Sequence, residues 1–370
     1  NGKKIAIETL ILILIVLTAD IALGVVSNKI VPQETISFEE NLTSAQLDGE
    51  NLEKLQEDAR KFVFDFTNVY PVDESNGDKL WQITEGQSET INYNQESGRK
   101  TYTPETTTYT IAVIGGSSAF GTGQSDDQTI ASFLSKILEK ERKNTRIYNY
   151  GIPAYTTYQA AKSIEKKLEK GEKFDAILVL SGFNDVILGG DGSRIPETLL
   201  DESMNAYYNP NILLKWADNS LTARLVRYKK RQKKPIMTRV DPIGEVSKNA
   251  ALGLPEKIEE SMEYNIIKGV EELNYIQEKY DTPIVYAWVP RKLTAESDGA
   301  ETSLGKMSLR LLVENQKKLT QETLEDSIFI DLDETRLAQS CFLDEVHTVG
   351  SCSEKQAEAI ATKLLEKTLR

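Results

Sequence analysis

The residues Tyr109-Thr110-Ile111-Ala112-Val113-Ile114-Gly115-Gly116-Ser117-Ser118-Ala119-Phe120-Gly121 pass from an apolar, β-branched run straight into glycine and serine. The apolar half suits a parallel strand buried on both faces. Thr129 to Glu141 follows as a helix, with Ile130, Phe133, Leu134, Ile137 and Leu138 on one face. Glycines permit a sharp turn and close approach of a substrate. A small hydroxyl residue between strand end and helix start sits near backbone N–H groups suited to a developing oxyanion. A phosphate-binding glycine turn and a plain strand-to-helix loop fit the same residues. The pattern G-x-x-x-x-G-K-[ST] is absent, and there is no good G-x-G-x-x-G here.

Three further segments bear on the choice. Arg146 to Thr156 (R-I-Y-N-Y-G-I-P-A-Y-T) reads as a second strand and its loop. Asp175 to Asp185 (D-A-I-L-V-L-S-G-F-N-D) reads as a third buried strand ending in G-F-N-D. Near the C-terminus, Asp344-Glu345-Val346-His347 contains the single histidine of the chain. Histidine accepts and returns protons near neutrality, and a carboxylate three residues earlier can orient the ring.

Taken in order, G-G-S-S-x-F-G, the Tyr150–Ala154 loop, G-F-N-D and D-x-x-H resemble the SGNH (GDSL-like) esterase and lipase family over residues 106–370. The resemblance implies an α/β, three-layer α/β/α fold with a parallel, flavodoxin-like sheet. Ligands in such sheets bind at the carboxyl ends of the strands, where all four segments fall. It further implies Ser117 as nucleophile, His347 as its base and Asp344 as the orienting acid. The oxyanion hole would take the backbone N–H of Ser117, a backbone N–H at Ala154 and the side chain of Asn184. Two positions depart from the family: Gly116 stands where an Asp is usual, and Ala154 where a Gly is usual. Gly151 is present, three residues early.

The remainder fits the same plan. Thr282–Pro290 reads as a fourth strand with its exit loop, Ser327–Leu332 as a fifth, and Glu354–Leu369 as a closing helix. Residues 187–252 form an insertion and candidate lid. Its basic run, Arg224 to Lys234, suits anionic headgroups or an acidic polymer, or simply a solvated helix end. Residues 31–105 read as a membrane-proximal stalk and a small β extension. Leu47–Phe66 has helical spacing, while Leu80–Ile83 and Thr90–Tyr93 read as short strands.

Residues 1–30 read as a transmembrane anchor. Ile5 to Val26 is almost continuously apolar, and as a helix it would span about 33 Å. Lys3 and Lys4 precede it, so the positive-inside rule puts the rest of the chain outside the cytoplasm, in the periplasm or at the cell surface. A cleaved signal peptide is the alternative. Glu8 and Asp20 within the run hint at a membrane protein partner, and an interfacial position explains them as well. The formal net charge of −13 argues against a nucleic-acid partner. With one histidine and two cysteines, no metal site or other cofactor is expected. Cys341 and Cys352 bracket the Asp344–His347 loop. In an oxidising compartment they are expected to be joined; free buried thiols are the alternative.

The expectation is therefore a membrane-anchored serine esterase or deacetylase acting on an acylated carbohydrate or a small ester. Two alternatives stand beside it. A sugar hydroxyl in place of water would make the protein an O-acyltransferase of an envelope polysaccharide. A non-catalytic subunit of a surface assembly would keep the fold alone.

Overall fold

The computed structural model describes residues 64–73, 78–83, 85–153, 155–182, 184–186, 255–291, 303–304, 307–342 and 346–369. Its strands are β1 (Phe64–Asp73), β2 (Asp78–Ile83), β3 (Gly86–Gln87), β4 (Asn92–Asn94), β5 (Gly98–Arg99), β6 (Tyr109–Gly115), β7 (Thr145–Asn149), β8 (Ala176–Ser181), β9 (Ile284–Trp288), β10 (Ser303–Leu304), β11 (Met307–Ser308) and β12 (Ile328–Asp331). Its helices are α1 (Ser117–Phe120), α2 (Ile130–Lys140), α3 (Thr157–Glu169), α4 (Pro255–Tyr280), α5 (Leu309–Thr323) and α6 (Gly350–Lys367).

Five strands pair in parallel in the order β12-β9-β8-β6-β7. Counted among themselves this is 2-1-3-4-5, the flavodoxin-like order expected above. The register sets Val113 opposite Asn149 on one side and Leu178 on the other. Strands β6 and β8 therefore end nearly level, with Gly115 opposite Leu180, and β7 ends at Asn149, two residues short of the end of β6, all at the same edge of the sheet.

Period-two alternation divides the strand residues between two layers. Ile111, Val113, Leu178, Val285 and Ala287 join one buried cluster with Ile130, Leu134 and Leu138 of α2 and Ile360 and Leu364 of α6. The alternate residues Ala112, Ile114, Ile177, Val179 and Tyr286 are equally buried and face the other way. That second layer is built by α3, α4 and α5, which pack on one another. Local signals start the helices where the layers need them. The Thr129 side chain caps α2 by accepting from Ser132 N, and Thr156 with Gln159 forms a capping box on α3. Such a cap contributes about 1 kcal/mol.

The sheet does not stop at β7. Strands β5, β4 and β3 continue it in antiparallel pairing, joined through Arg99 opposite Asn149. One local expectation changes. The helical reading of Leu47–Phe66 cannot extend to its end, because Phe64, Asp65 and Phe66 lie in β1, with Phe64 opposite Ile83 of β2. Alternation in Phe62-Val63-Phe64-Asp65-Phe66 is a period-two signal, and cross-strand pairing overrides the helical spacing there. The apolar run Ile5–Val26 and the insertion 187–252 lie outside the described residues. Among the described residues no helix is long and apolar enough to cross a membrane.

Candidate active site

Strand β6 delivers its chain end to the site in two steps. Gly116 is the N-cap of α1, and Ser117 is the first residue of the helix. The turn is closed by Phe120 N donating to Gly116 O (3.0 Å), and by Gly121 N and Thr122 N both donating to Ser117 O (2.9 and 3.0 Å). N–H groups in the first turn of a helix have no partner within it, so the Ser117 N–H is directed out of the turn. Ser117 is half-buried, at the carboxyl end of the central strand.

Gly116 is where the first and third segments meet. A Cβ at this position would fall 2.4 Å from Asn184 Nδ2 and 3.0 Å from Tyr155 O. In this structure the Asn184 amide occupies the space that a Cβ at 116 would take, against the backbone beside Ser117. Asn184 Nδ2 donates to Tyr155 O at 2.8 Å, which fixes the plane of the amide. The group carries two N–H donors, so one bond orients it and leaves a second for an incoming oxygen.

The second segment is drawn in from below. Asn149 Nδ2 donates to Ala119 O (2.8 Å), and Ile152 N donates to Gly115 O (3.0 Å). Gly151 N donates to Asn149 Oδ1 at 3.0 Å, and a Cβ at Gly151 would lie 2.4 Å from Phe120 N, so the glycine serves close approach to α1. Ala154 lies outside the described residues, between Pro153 and Tyr155.

Asp185, next to Asn184, is fully buried. Its carboxylate accepts from Thr157 N (2.9 Å), Thr157 Oγ1 (2.9 Å), Ser181 Oγ (3.0 Å) and the Gly182 backbone. Burial pushes its pKa above the usual carboxylate range, and these donors oppose the shift. The bonds tie the Asn184 turn to the start of α3 and the end of β8.

His347 is buried, with 8% of its surface exposed. Its loop is held on both sides. Cys341 and Cys352 form the expected disulfide, with Cα atoms 5.6 Å apart. Phe342 bridges Thr348, and Val349 N donates to Cys341 O at 2.9 Å. Gln124, from the loop after α1, donates through Nε2 to Thr348 O (2.6 Å) and to Ser353 Oγ (2.5 Å). The loop that follows Ser117 and the loop that carries His347 are thus bonded to each other. No hydrogen bond joins the Ser117 hydroxyl to the His347 ring among the described residues. Such contacts commonly tighten only when substrate binds. Asp344 lies outside the described residues. Among those described, no group of three or more His, Cys, Asp or Glu side chains is arranged to hold a metal ion.

One residue of this neighbourhood escaped the sequence reading. Arg99 of β5 is 1% exposed, and its Nη1 donates to Phe120 O (2.8 Å) and Gly121 O (2.6 Å). Nη2 donates to Gln124 O, and Nε to Asp126 Oδ1 at 3.2 Å. Burial lowers its pKa, and the Asp126 carboxylate offsets part of that. No motif flags an arginine in a polar segment; the antiparallel pairing that brings it here is a tertiary fact.

No family model and no curated protein matches the chain. Solved structures do. A carbohydrate acetylesterase family member from Sinorhizobium meliloti matches at 15% identity and a TM-score of 0.39, covering 70% of this chain and 98% of that one. A putative lipolytic protein of the G-D-S-L family from Desulfitobacterium hafniense matches at 10% identity and 0.36, covering 69% and 99%. The acetyl xylan esterase AlAXEase matches at 11% identity and 0.36, with the same coverages. Likeness at this distance says nothing of mechanism, which rests on the residues of this chain.

Proposed function

We propose that the protein is a serine ester hydrolase. The observation that carries this reading is the contact of the Asn184 amide with the Gly116 backbone, immediately beside Ser117 at the carboxyl end of β6. The reading sets a hydroxyl beside an amide donor, the pair that attack on an ester carbonyl uses.

In this reading Ser117 Oγ attacks the carbonyl carbon while His347 takes its proton. The carbonyl π pair moves onto oxygen, and the oxyanion accepts hydrogen bonds from the Ser117 N–H, the Asn184 Nδ2–H and a backbone N–H at Ala154. Collapse expels the alcohol, which receives the proton from His347 and leaves Ser117 acylated. Water then adds with His347 again as base, and the acid leaves. Asp344 orients the imidazole and stabilises its charged form. Every proton removed is returned, so no cofactor enters the cycle.

The substrate class is an O-acylated carbohydrate or a small ester, and the catalytic unit belongs outside the cytoplasm on an N-terminal anchor. The apolar run Ile5–Val26 supports the anchor, and the Cys341–Cys352 bridge supports an oxidising compartment.

The test is labelling of the full chain with a fluorophosphonate, read by intact mass, alongside turnover of an aryl acetate. One adduct is expected, lost in Ser117→Ala together with turnover. A folded wild-type protein that is neither labelled nor active would remove the reading.

A further inference from the structure

We propose that Arg99 is a positioning residue for this reaction: it clamps the turn behind Ser117 and, through Gln124, sets the His347 loop against that turn. The inference rests on the ester-hydrolase reading. It goes further by making the antiparallel extension part of the catalytic apparatus.

The geometry is specific. All four polar partners of the guanidinium belong to residues 120–126, and three of them are carbonyl oxygens. Phe120 O and Gly121 O are the carbonyls with which α1 ends, and a cation is the natural partner for such a terminus. The same charge stands 4.7 Å from the centre of the Phe120 ring. Asp126 is gripped from the extension a second time, by Asn92 N (3.1 Å) and Asn92 Nδ2 (2.7 Å), and its own N–H donates to Thr90 O (2.8 Å).

From there the connection runs in one direction. Gln124 accepts from Arg99 through its main-chain oxygen and donates from its side chain to Thr348 O, one residue after His347. Gln124 N also donates to Gly121 O at 3.2 Å, and Gly121 N to Ser117 O at 2.9 Å. Arg99 therefore stands behind the shared turn from which both Ser117 and His347 are held.

A buried side chain that served packing alone would have no reason to carry five N–H donors. Lysine has the charge but carries its donors on one nitrogen, without the planar fork that spans Phe120 O, Gly121 O, Gln124 O and Asp126. Arg99→Lys is therefore the informative change, and Arg99→Ala opens space for an added guanidinium.

The full chain is solubilised in mild detergent, and kcat and KM for an aryl acetate are measured with the fluorophosphonate labelling rate. Circular dichroism checks the fold. Hydrogen exchange at the Gly121 and Thr122 amides reports the turn whether or not the protein is active. Arg99→Lys is expected to remain folded and keep its KM. Its kcat and labelling rate should fall about 100-fold, the scale of a small misplacement of reacting groups. Exchange at both amides should quicken, and methylguanidinium should restore part of the rate of Arg99→Ala. Folded variants with wild-type kcat and unchanged exchange overturn the proposal, as does a loss of kcat that added guanidinium leaves untouched. If Arg99→Lys does not fold, Gln124→Met carries the same expectation for kcat, and a wild-type kcat there refutes the relay. An inactive, unlabelled wild type whose Arg99→Lys variant exchanges faster would sink the esterase reading while leaving the clamp intact.

Discussion

Gln124 Nε2 lies 2.6 Å from Thr348 O, so the segment that follows the candidate nucleophile is bonded to the residue that follows the only histidine. The two residues are 224 positions apart in sequence. A nucleophile and its base on separate loops need a common frame, because proton transfer tolerates little error in distance. This bond supplies one edge of that frame.

Gln124→Leu removes the donor and leaves the buried Thr348 carbonyl without its Gln124 partner. The loss should be about 1–3 kcal/mol in stability. Turnover should fall by more than the small change in folded fraction explains. Urea unfolding and steady-state kinetics on the same preparation check both. An unchanged kcat in the folded variant would show that the two loops keep their geometry without the bond.

Gly116→Ala introduces a Cβ where the Asn184 amide now lies, 2.4 Å from Nδ2. The amide has to swing away from Ser117. Loss of one oxyanion donor lowers kcat by about 100- to 1,000-fold. The Ser117 hydroxyl itself is untouched, so KM should hold. A crystal structure of the variant with Asn184 in its original position and normal kcat would dismiss the amide as a catalytic donor.

Asp185 gives a pH dependence whose sign follows from burial. Its carboxyl holds its proton more tightly in the folded chain than in the unfolded one, where the ordinary value is about 4. Its contribution to stability is full below that value and is lost as pH rises through the higher folded value. Asp185→Asn does not titrate. The melting temperature of wild type minus that of the variant should be largest below about pH 4 and shrink as the pH rises. A difference that grows with pH would mean that the donors at Thr157, Ser181 and Gly182 outweigh burial.

Reduction of Cys341–Cys352 opens a loop whose ends are 11 residues apart. In the chain-entropy account this bridge contributes about 3 kcal/mol. Dithiothreitol should therefore lower the melting temperature and turnover together, since the bridge spans the His347 loop. Calorimetry and an ester assay on oxidised and reduced protein check this. Turnover that survives reduction at a temperature where the protein stays folded would confine the bridge to stability.

The parallel core was legible because its strands are written in local chemistry. Ile111–Ile114, Ala176–Leu180 and Ile284–Val285 are apolar on both faces, and each ends at glycine, serine or an aromatic exit. Asn184, just past the end of β8, was singled out by the family resemblance rather than by local pattern. Arg99 and Gln124 were not. Each looks like an ordinary polar residue until pairing of β5 with β7 and the return of α6 bring distant segments together. The strand character of Phe64–Phe66 was hidden by helical spacing just upstream and emerges only with its partner β2.

The antiparallel extension also bears on how the chain can be dissected. Strand β7 is the last parallel strand, and its outer edge is covered by β5 through Arg99 opposite Asn149, and by Thr101 Oγ1 donating to Ile147 O at 2.6 Å. Removing the chain up to residue 105, just ahead of the first parallel strand at Tyr109, would bare those edge carbonyls and N–H groups. An uncovered edge is a template for another strand. Such a truncated fragment should self-associate through β7, so a soluble form of this protein has to begin upstream of the short strands that guard it.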